Sequence, residues 1–201
     1  MDQQPADSPY HRTLPIGERL DPTPLLEGPL TRFEDVRLPP LAEMLVPEEP
    51  RRGVEDPSAC PHCQRHPHRI WEDDTWHVDA GWTRMGLPYV GGLAPNEHCR
   101  LDDAPPHVLA SLGPLMQRLS LAIKQVPGVA RVHFSRWGDG SEHVHLWALA
   151  RPAGMMQGRG AMLAFWDDVL PPLDPAMQEE HLRIVAEALA VDGGTAYPTR
   201  Q

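Results

Sequence analysis

Lysine is almost absent from this chain. Lys124 is the single lysine among 18 basic residues, which face 28 acidic ones, and the formal net charge is −10 with the histidines neutral. Proteins that bind nucleic acid gain most of their affinity by neutralising phosphates, so this charge balance argues against a nucleic-acid partner. We therefore expect arginine to supply any cationic side chain in a functional site.

The chain also lacks a long apolar run and a disulfide framework. No stretch approaches the ~18 apolar residues that a membrane-spanning helix needs. Residues 1–15 contain neither the basic nor the apolar region of a secretory signal. The three cysteines are an odd number, and two of them are spaced C-x-x-C, which is not typical of a secreted disulfide scaffold. These absences predict a cytoplasmic protein without a membrane partner.

The 24 prolines are unevenly distributed, and 11 of them lie in residues 1–57. Proline removes a backbone donor, so this arm cannot form a long helix or a central strand. Two interpretations are open for it: a disordered leader, or an arm ordered on the body of the protein or on a partner. We predict a core at 58–152 and a C-terminal extension at 153–201, with a helix at about 175–191.

Periodicity predicts an α+β fold with an antiparallel sheet and a packed helix. A helix is expected to begin at Pro105 and Pro106 and to kink or restart after Gly113, because Pro114 follows. Its apolar face would contain Leu109, Leu112, Met116, Leu119 and Ile123. Strands are expected at residues 69–71, 75–80, 87–94, 129–137 and 143–150.

The strongest local feature is Cys60 and Cys63, because two thiols at C-x-x-C spacing form half of a zinc site. Structural zinc takes four ligands, so two more are needed. A short-range site would use His66 or His68.

A long-range site would use His98 and one of the histidines at 143 and 145, with Cys99 as an alternative to His98. His143 and His145 would point to one face of a strand, with Cα atoms about 6.6–7 Å apart. Such a face either binds a partner or is open to water. The other histidines, including His62 and His77, are interpreted as surface or structural residues.

The segment His143-Val-His145-Leu-Trp147 follows a glycine-rich turn and resembles the histidine triad (HIT) signature, His-φ-His-φ-His. Upstream, the C-x-x-C pair, residues 70–74 (IWEDD) and His98 in LAPNEH resemble the zinc-bearing members in order and spacing. The resemblance covers residues 58–152. It implies a HIT-like fold, a nucleotide ligand and, as for many such proteins, a homodimer.

Carried over residue by residue, the resemblance implies that Cys60, Cys63, His98 and His143 bind a structural zinc. It implies that His145 is the nucleophile. In the family the middle histidine attacks the α-phosphorus of a nucleotide and holds the nucleotidyl group as a phosphoramidate, until water or a second acceptor removes it.

Substrate contacts are expected around the glycine-rich turn. Ser135 stands where the hydrolase branch has a phosphate-contacting asparagine, and Glu142 would either repel phosphate or act as an acid or base. The predicted substrate-binding residues are Ser135, Arg136, Gly140, Ser141, Glu142 and Trp147.

Trp147 occupies the third signature position, where an indole offers one donor and no acceptor. The galactose-1-phosphate uridylyltransferase branch has glutamine there and still works through its middle histidine. Two functions therefore remain open. One is a nucleotidyl hydrolase or transferase acting on a nucleoside phosphate ester, anhydride or phosphoramidate. The other is a catalytically inactive, zinc-stabilised nucleotide-binding or regulatory protein. Acidity and Cys/His spacing disfavour a zinc-finger-like interaction module.

Overall fold

The chain divides into two compact units, residues 1–50 and 51–201. The computed structural model describes residues 17–19, 37, 39–40, 42–43, 47–64, 68–81 and 84–197. Every element named below belongs to the second unit. Most of the proline-rich arm lies outside the described residues, so its order stays a prediction.

The second unit contains a six-stranded antiparallel sheet and, among its described residues, three α-helices. The strands are β1 (Arg69–Glu72), β2 (Trp76–Ala80), β3 (Val90–Pro95), β4 (Val129–Ser135), β5 (Leu146–Pro152) and β6 (Thr195–Ala196). The helices are α1 (Pro106–Ile123), α2 (Leu163–Val169) and α3 (Pro175–Ala190). The strand order is β4-β5-β3-β2-β1-β6, and all pairings are antiparallel. The predicted α+β class is confirmed.

The apolar core joins the sheet to helices α1 and α3, which pack against each other. Trp71 and Trp76 are buried in it, and each buries about 200 Å². At 25 cal/mol/Å² that area is worth roughly 5 kcal/mol per ring before the cost of ordering the chain. Their indole N–H groups donate to the Gly193 carbonyl at 3.1 Å and to Ser111 Oγ at 2.8 Å. No helix among the described residues is long and apolar enough to cross a membrane.

Helix α1 runs without interruption, so the restart expected after Gly113 does not occur. Pro114 removes one backbone donor from the helix. The carbonyl of Ala110, which would have accepted from it, lies on an exposed stretch and can reach water. A single lost hydrogen bond at the surface is therefore tolerated.

The buried face of α1 is rotated from the predicted stripe. Leu119 and Ile123 are fully buried as expected, whereas Leu109 is 48% exposed. Over 18 residues two neighbouring stripes fit the 3.6-residue period almost equally well, and the packing against α3 selects between them. The buried residues are Val108, Leu115, Leu119, Ala122 and Ile123.

Strand β5 begins at Leu146, three residues later than predicted. The amide of Glu142 donates to the Arg52 carbonyl at 3.0 Å, and the amide of Val144 donates to the Cys99 carbonyl at 2.8 Å. Because these amides bond to loops instead of to β3, residues 141–145 are tied to the segment before Cys60 and to the segment after His98.

Helix α2 and strand β6 are elements that the sequence did not predict. Asp167 of α2 is 8% exposed, and its carboxylate accepts from the amides of Gly86 and Leu87 at 2.8 and 2.9 Å. Strand β6 pairs with β1 at the sheet edge. Both elements are too short to show a period, which explains why they were missed.

Candidate active site

Four side chains that can bind a metal meet where residues 141–145 cross the loop before β1. Cys60, Cys63, His98 and His143 each offer one ligand atom, and these atoms lie within 4.8 Å of one another. Nδ1 of His143 is 3.5 Å from the sulfur of Cys60 and 3.5 Å from that of Cys63. Nδ1 of His98 is 3.1 Å from the sulfur of Cys63.

The alternatives considered from the sequence do not take part in this cluster. His68 and Cys99 are described residues that lie outside it. The Cys99 backbone carbonyl instead holds the amide of Val144. His66 is outside the described residues.

The cluster fits a tetrahedral zinc site. Zinc–sulfur bonds of about 2.3 Å and zinc–nitrogen bonds of about 2.0 Å give sulfur–nitrogen edges of about 3.5 Å. The three observed sulfur–nitrogen distances are 3.5, 3.5 and 3.1 Å. Two thiols and two imidazoles are also the donors that zinc prefers, and a full set of four leaves no open position for water.

Backbone geometry holds the two thiols in place. The amide of Cys63 donates to the Cys60 carbonyl at 3.2 Å, which closes the C-x-x-C turn. Gly53 lies against this turn with φ of +88°, a left-handed conformation that favours glycine. A Cβ at Gly53 would lie 3.0 Å from Cys60 Cβ and 3.1 Å from His98 Cε1. The backbone at Gly53 therefore packs directly against Cys60 and His98.

Burial changes the protonation equilibria of two groups in the cluster. Desolvation, together with a hydrogen bond to Cys60, raises the pKa of the Cys63 thiol to about 12. Burial, with further contributions from the neighbouring imidazoles of His98 and His77, lowers the pKa of His143 to about 4. His143 is thus neutral and ready to ligate at pH 7, whereas the Cys63 thiol needs a cation before it releases its proton.

His145 lies next to this cluster and is oriented by it. Its Nδ1 is 2.8 Å from the carbonyl oxygen of His143. A carbonyl only accepts, so Nδ1 carries the proton and Nε2 carries the lone pair. The side chain is 8% exposed and lines a cavity, so the basic nitrogen belongs to a group that a ligand can reach.

The cavity has a volume of about 320 Å³, and one face of strands β2, β3 and β5 lines it. Asp79 pairs with Gly92, which in turn pairs with Trp147, and His77 pairs with Ala94. All five residues line the cavity, as the two-residue period of a strand requires. Because Gly92 has no side chain, the centre of this surface stays open.

His77 carries a buried acceptor on the cavity wall. Asn96 Nδ2 donates to the Asp73 carbonyl at 2.8 Å, so its oxygen faces His77 Nδ1, which donates over 2.9 Å. Nε2 of His77 then holds a lone pair 3.7 Å from Asp79 Oδ2. Burial is the main cause that lowers the pKa of His77. Nε2 of His77 and Oδ2 of Asp79 are thus two neighbouring acceptors, which suit a ligand that donates hydrogen bonds.

The glycine-rich turn at 138–141 is held by two arginines. Arg51 Nη1 donates to the Gly138 carbonyl at 3.1 Å, and Arg52 Nε donates to the Gly140 carbonyl at 3.2 Å. Glu142 lies 3.3 Å from Arg51 and 3.6 Å from Arg100, which compensates its charge. The arginines thus offset the negative charge of Glu142 and of the two glycine carbonyls, which would otherwise repel an anion.

The predicted substrate-binding residues fall into two groups. Gly140, Ser141 and Trp147 line the cavity together with His145. The hydroxyl of Ser141 is also 3.6 Å from the sulfur of Cys60. The structure does not bring the remaining three to the cavity wall: Ser135, Arg136 and Glu142.

Sequence reasoning missed Arg52, His62, His77 and Asp79, which all line the cavity. His77 and Asp79 had a detectable signal, because two polar residues alternate with apolar ones along a buried strand. The other two come from loops, where no period indicates direction. The ring of Trp137 lies 6.4 Å from that of Trp147 at the cavity wall.

Comparison with solved structures identifies the fold. The chain is similar to a hypothetical histidine triad nucleotide-binding protein from Sulfolobus tokodaii, at 16% identity and a TM-score of 0.50, over 65% of this chain and 91% of that one. A Zn-bound histidine triad family protein from Mycobacterium smegmatis matches at 22% identity and a TM-score of 0.49, over 67% and 95%. A uridylyltransferase matches at 20% identity and a TM-score of 0.49, over 68% and 46%.

No protein-family model and no curated protein matches the chain. At this level of identity the structural similarity identifies the fold alone. The chain has the HIT-like fold that its signature predicted.

Proposed function

We propose that this protein is a nucleotidyl hydrolase or transferase that works through a covalent nucleotidyl-His145 intermediate and contains a structural zinc. The zinc ligands would be Cys60, Cys63, His98 and His143. One observation carries the proposal: the His143 carbonyl fixes the proton of His145 on Nδ1, at 2.8 Å, in a side chain that lines a cavity. The basic Nε2 is thereby available to a phosphorus atom.

The proposed reaction divides one displacement into two. The Nε2 lone pair of His145 forms a bond to the α-phosphorus, and the bond from phosphorus to the leaving-group oxygen breaks. The leaving group takes that electron pair and acquires a proton from solvent. Water or an acceptor hydroxyl then forms a new oxygen–phosphorus bond, loses its proton to solvent, and the electron pair of the breaking N–P bond returns to Nε2.

When bound, zinc would supply a rigid cross-link and no open position for a reacting group. The residues of this chain then carry the positioning. His143 would be held through its ring, so its carbonyl stays in place to orient His145. Ser141 supports the same corner, because its hydroxyl lies 3.6 Å from Cys60 and 3.4 Å from the amide of His143.

The cavity supports a nucleotide as the ligand. Its volume of about 320 Å³ is within the roughly 300–1,000 Å³ range of small-molecule sites. Near His145, Arg52 and the turn at 138–141 offer positive charge and backbone donors to a phosphate. On the strand face of the cavity, His77 and Asp79 offer acceptors to ribose hydroxyls or base amines, and the indoles of Trp137 and Trp147 can stack against a ring.

A second candidate is a catalytically inactive nucleotide-binding protein of the same fold. Trp147 favours it, because an indole at the third signature position cannot act as an acid or base. The zinc cluster, the cavity and the ligand class would be the same. The two candidates differ only in whether a covalent bond forms at His145.

Intact-mass spectrometry of the full chain distinguishes them. The protein is incubated with nucleoside phosphoramidates, dinucleoside polyphosphates and nucleotide sugars, and a mass increase equal to one nucleotidyl group is sought. The proposal predicts an adduct that is absent in His145→Ala and present in His107→Ala, whose ring lies outside the cavity. Nucleotide binding without adduct or turnover would support the second candidate, and no binding at all would contradict both.

A further inference from the structure

The imidazole of His62 lies against that of His145, the candidate nucleophile. His62 belongs to the C-x-x-C turn and not to the signature segment at 143–147. The ring of His62 stacks on that of His145, with 4.3 Å between centroids and 26° between planes. His62 lies between the two cysteines of the C-x-x-C turn. The hydrogen bond from the Cys63 amide to the Cys60 carbonyl fixes the backbone that carries it.

His62 differs from the other cavity histidines in its hydrogen bonding. His77 and His145 each use Nδ1 within the fold, on Asn96 and on the His143 carbonyl. Among the described residues, none hydrogen-bonds to either ring nitrogen of His62. The side chain is half-buried and lines the cavity beside Arg52 and Ser141. It therefore keeps one donor and one acceptor for a ligand.

Stacking leaves the reacting edge of His145 accessible. A parallel ring covers the π face of an imidazole, whereas the Nε2 lone pair lies in the ring plane. With 4.3 Å between centroids and 26° between planes, the edges of the two rings lie side by side. A phosphoryl group bonded to Nε2 of His145 would therefore lie close to the edge of the His62 ring.

The ring of His62 can act as a hydrogen-bond donor. An imidazole carries at least one N–H and can donate it to an anionic oxygen without any proton transfer. Trp147 cannot make this contact in the same place, because its ring packs over Gly81 and beside Trp137.

We propose that His62 is a substrate-contacting residue, which stacks on His145 and donates a ring N–H to a phosphoryl oxygen of the group held there. This inference rests on the proposed function for its substrate. It adds a residue that lies outside the triad signature. One preorganised donor to a developing oxyanion is worth about 10²–10³-fold in rate. A partly exposed site should give the lower end of that range.

Three variants separate stacking from donation: His62→Phe keeps the stack, His62→Gln keeps a donor, and His62→Ala keeps neither. We expect the rate of nucleotidyl-His145 formation to fall about 100-fold in His62→Phe, further in His62→Ala, and less than about 10-fold in His62→Gln. Zinc content should be unchanged, and His107→Phe is the matched control. A wild-type rate in His62→Phe, or equal losses in all three variants, would overturn the inference.

A second measurement needs neither a variant nor turnover. In wild-type protein labelled with ¹⁵N-histidine, saturation with inorganic phosphate should move the ring N–H signal of His62 downfield. An unchanged signal would overturn the inference. If wild-type protein forms no adduct but this signal moves, the covalent mechanism fails while the phosphate contact of His62 stands.

Discussion

The carbonyl oxygen of His143 accepts the Nδ1 proton of His145 at 2.8 Å. The ring of the same His143 lies 3.5 Å from both cysteine sulfurs. One residue thus joins the metal-binding cluster to the candidate nucleophile. When the His143 ring is held in the cluster, its backbone carbonyl is held as well. That carbonyl then sets the tautomer and the orientation of the His145 imidazole.

Replacing a ligand should remove both metal and stability. We expect His143→Ala to lose zinc and to lower the thermal midpoint by more than about 10 °C, because zinc binding contributes to folding and the lost energy is several kcal/mol. Metal analysis and calorimetry on the same preparations test this. His68→Ala is the control, and zinc loss there with retention in His143→Ala would favour the short-range site.

Acid should destabilise the chelator-treated protein over a defined range. The pKa of His143 is lowered to about 4 and that of His62 to about 3, against 6.5 in an unperturbed histidine. Between those values the unfolded chain binds more protons than the folded one. The free energy of unfolding should therefore decrease as the pH falls from 6.5 to 4, as urea titrations would report. A flat profile would contradict this, and His143→Gln should reduce the slope.

Gly53 should not tolerate a side chain. Its φ is +88°, and a Cβ would lie 3.0 Å from Cys60 Cβ. We expect Gly53→Ala to lose about 1–3 kcal/mol of stability and to hold zinc less tightly in a chelator competition. Gly113→Ala is the matched control, because it lies on an exposed stretch of α1 with no atom within 4 Å of the added Cβ. That change should stabilise the protein by about 0.5–1 kcal/mol.

Filling the cavity should block the ligand and leave the fold intact. A Cβ at Gly92 would meet only the Leu146 carbonyl, at 3.9 Å, and Gly92 lies between Asp79 and Trp147 on the cavity face. Valine is a favourable strand residue. We expect Gly92→Val to weaken nucleotide binding at least about 10-fold by calorimetry. Zinc content and thermal midpoint should stay near those of Gly113→Ala, and unchanged binding would place the ligand elsewhere.

Much of this site could be predicted from the sequence, because spacing carries direct geometric information. Cys60 and Cys63 had to lie together, and His143 and His145 had to lie two residues apart on one segment. The link between these pairs came from the resemblance, and the four predicted ligands lie within 4.8 Å of one another. The fold class followed from the order of periodic segments.

The rest depends on tertiary structure. Nothing in the local sequence indicates that His62 turns from the C-x-x-C loop onto His145, or that Arg52 binds the carbonyl of Gly140. The start of β5 moved from 143 to Leu146 because the amides of Glu142 and Val144 bond to distant loops. Such contacts join residues that are far apart in the chain, and the periodicity of a local segment does not indicate them.

X-ray absorption at the zinc edge of the purified full chain tests whether one metal joins the two cysteines to His98 and His143. We expect about one zinc per chain, with two sulfur ligands at about 2.3 Å and two nitrogen ligands at about 2.0 Å. A protein purified without zinc, whose thermal midpoint does not rise when zinc is added, would contradict this expectation. So would a zinc with water in place of an imidazole, because His98 or His143 would then be free of the metal and the proposed set of four ligands would be wrong.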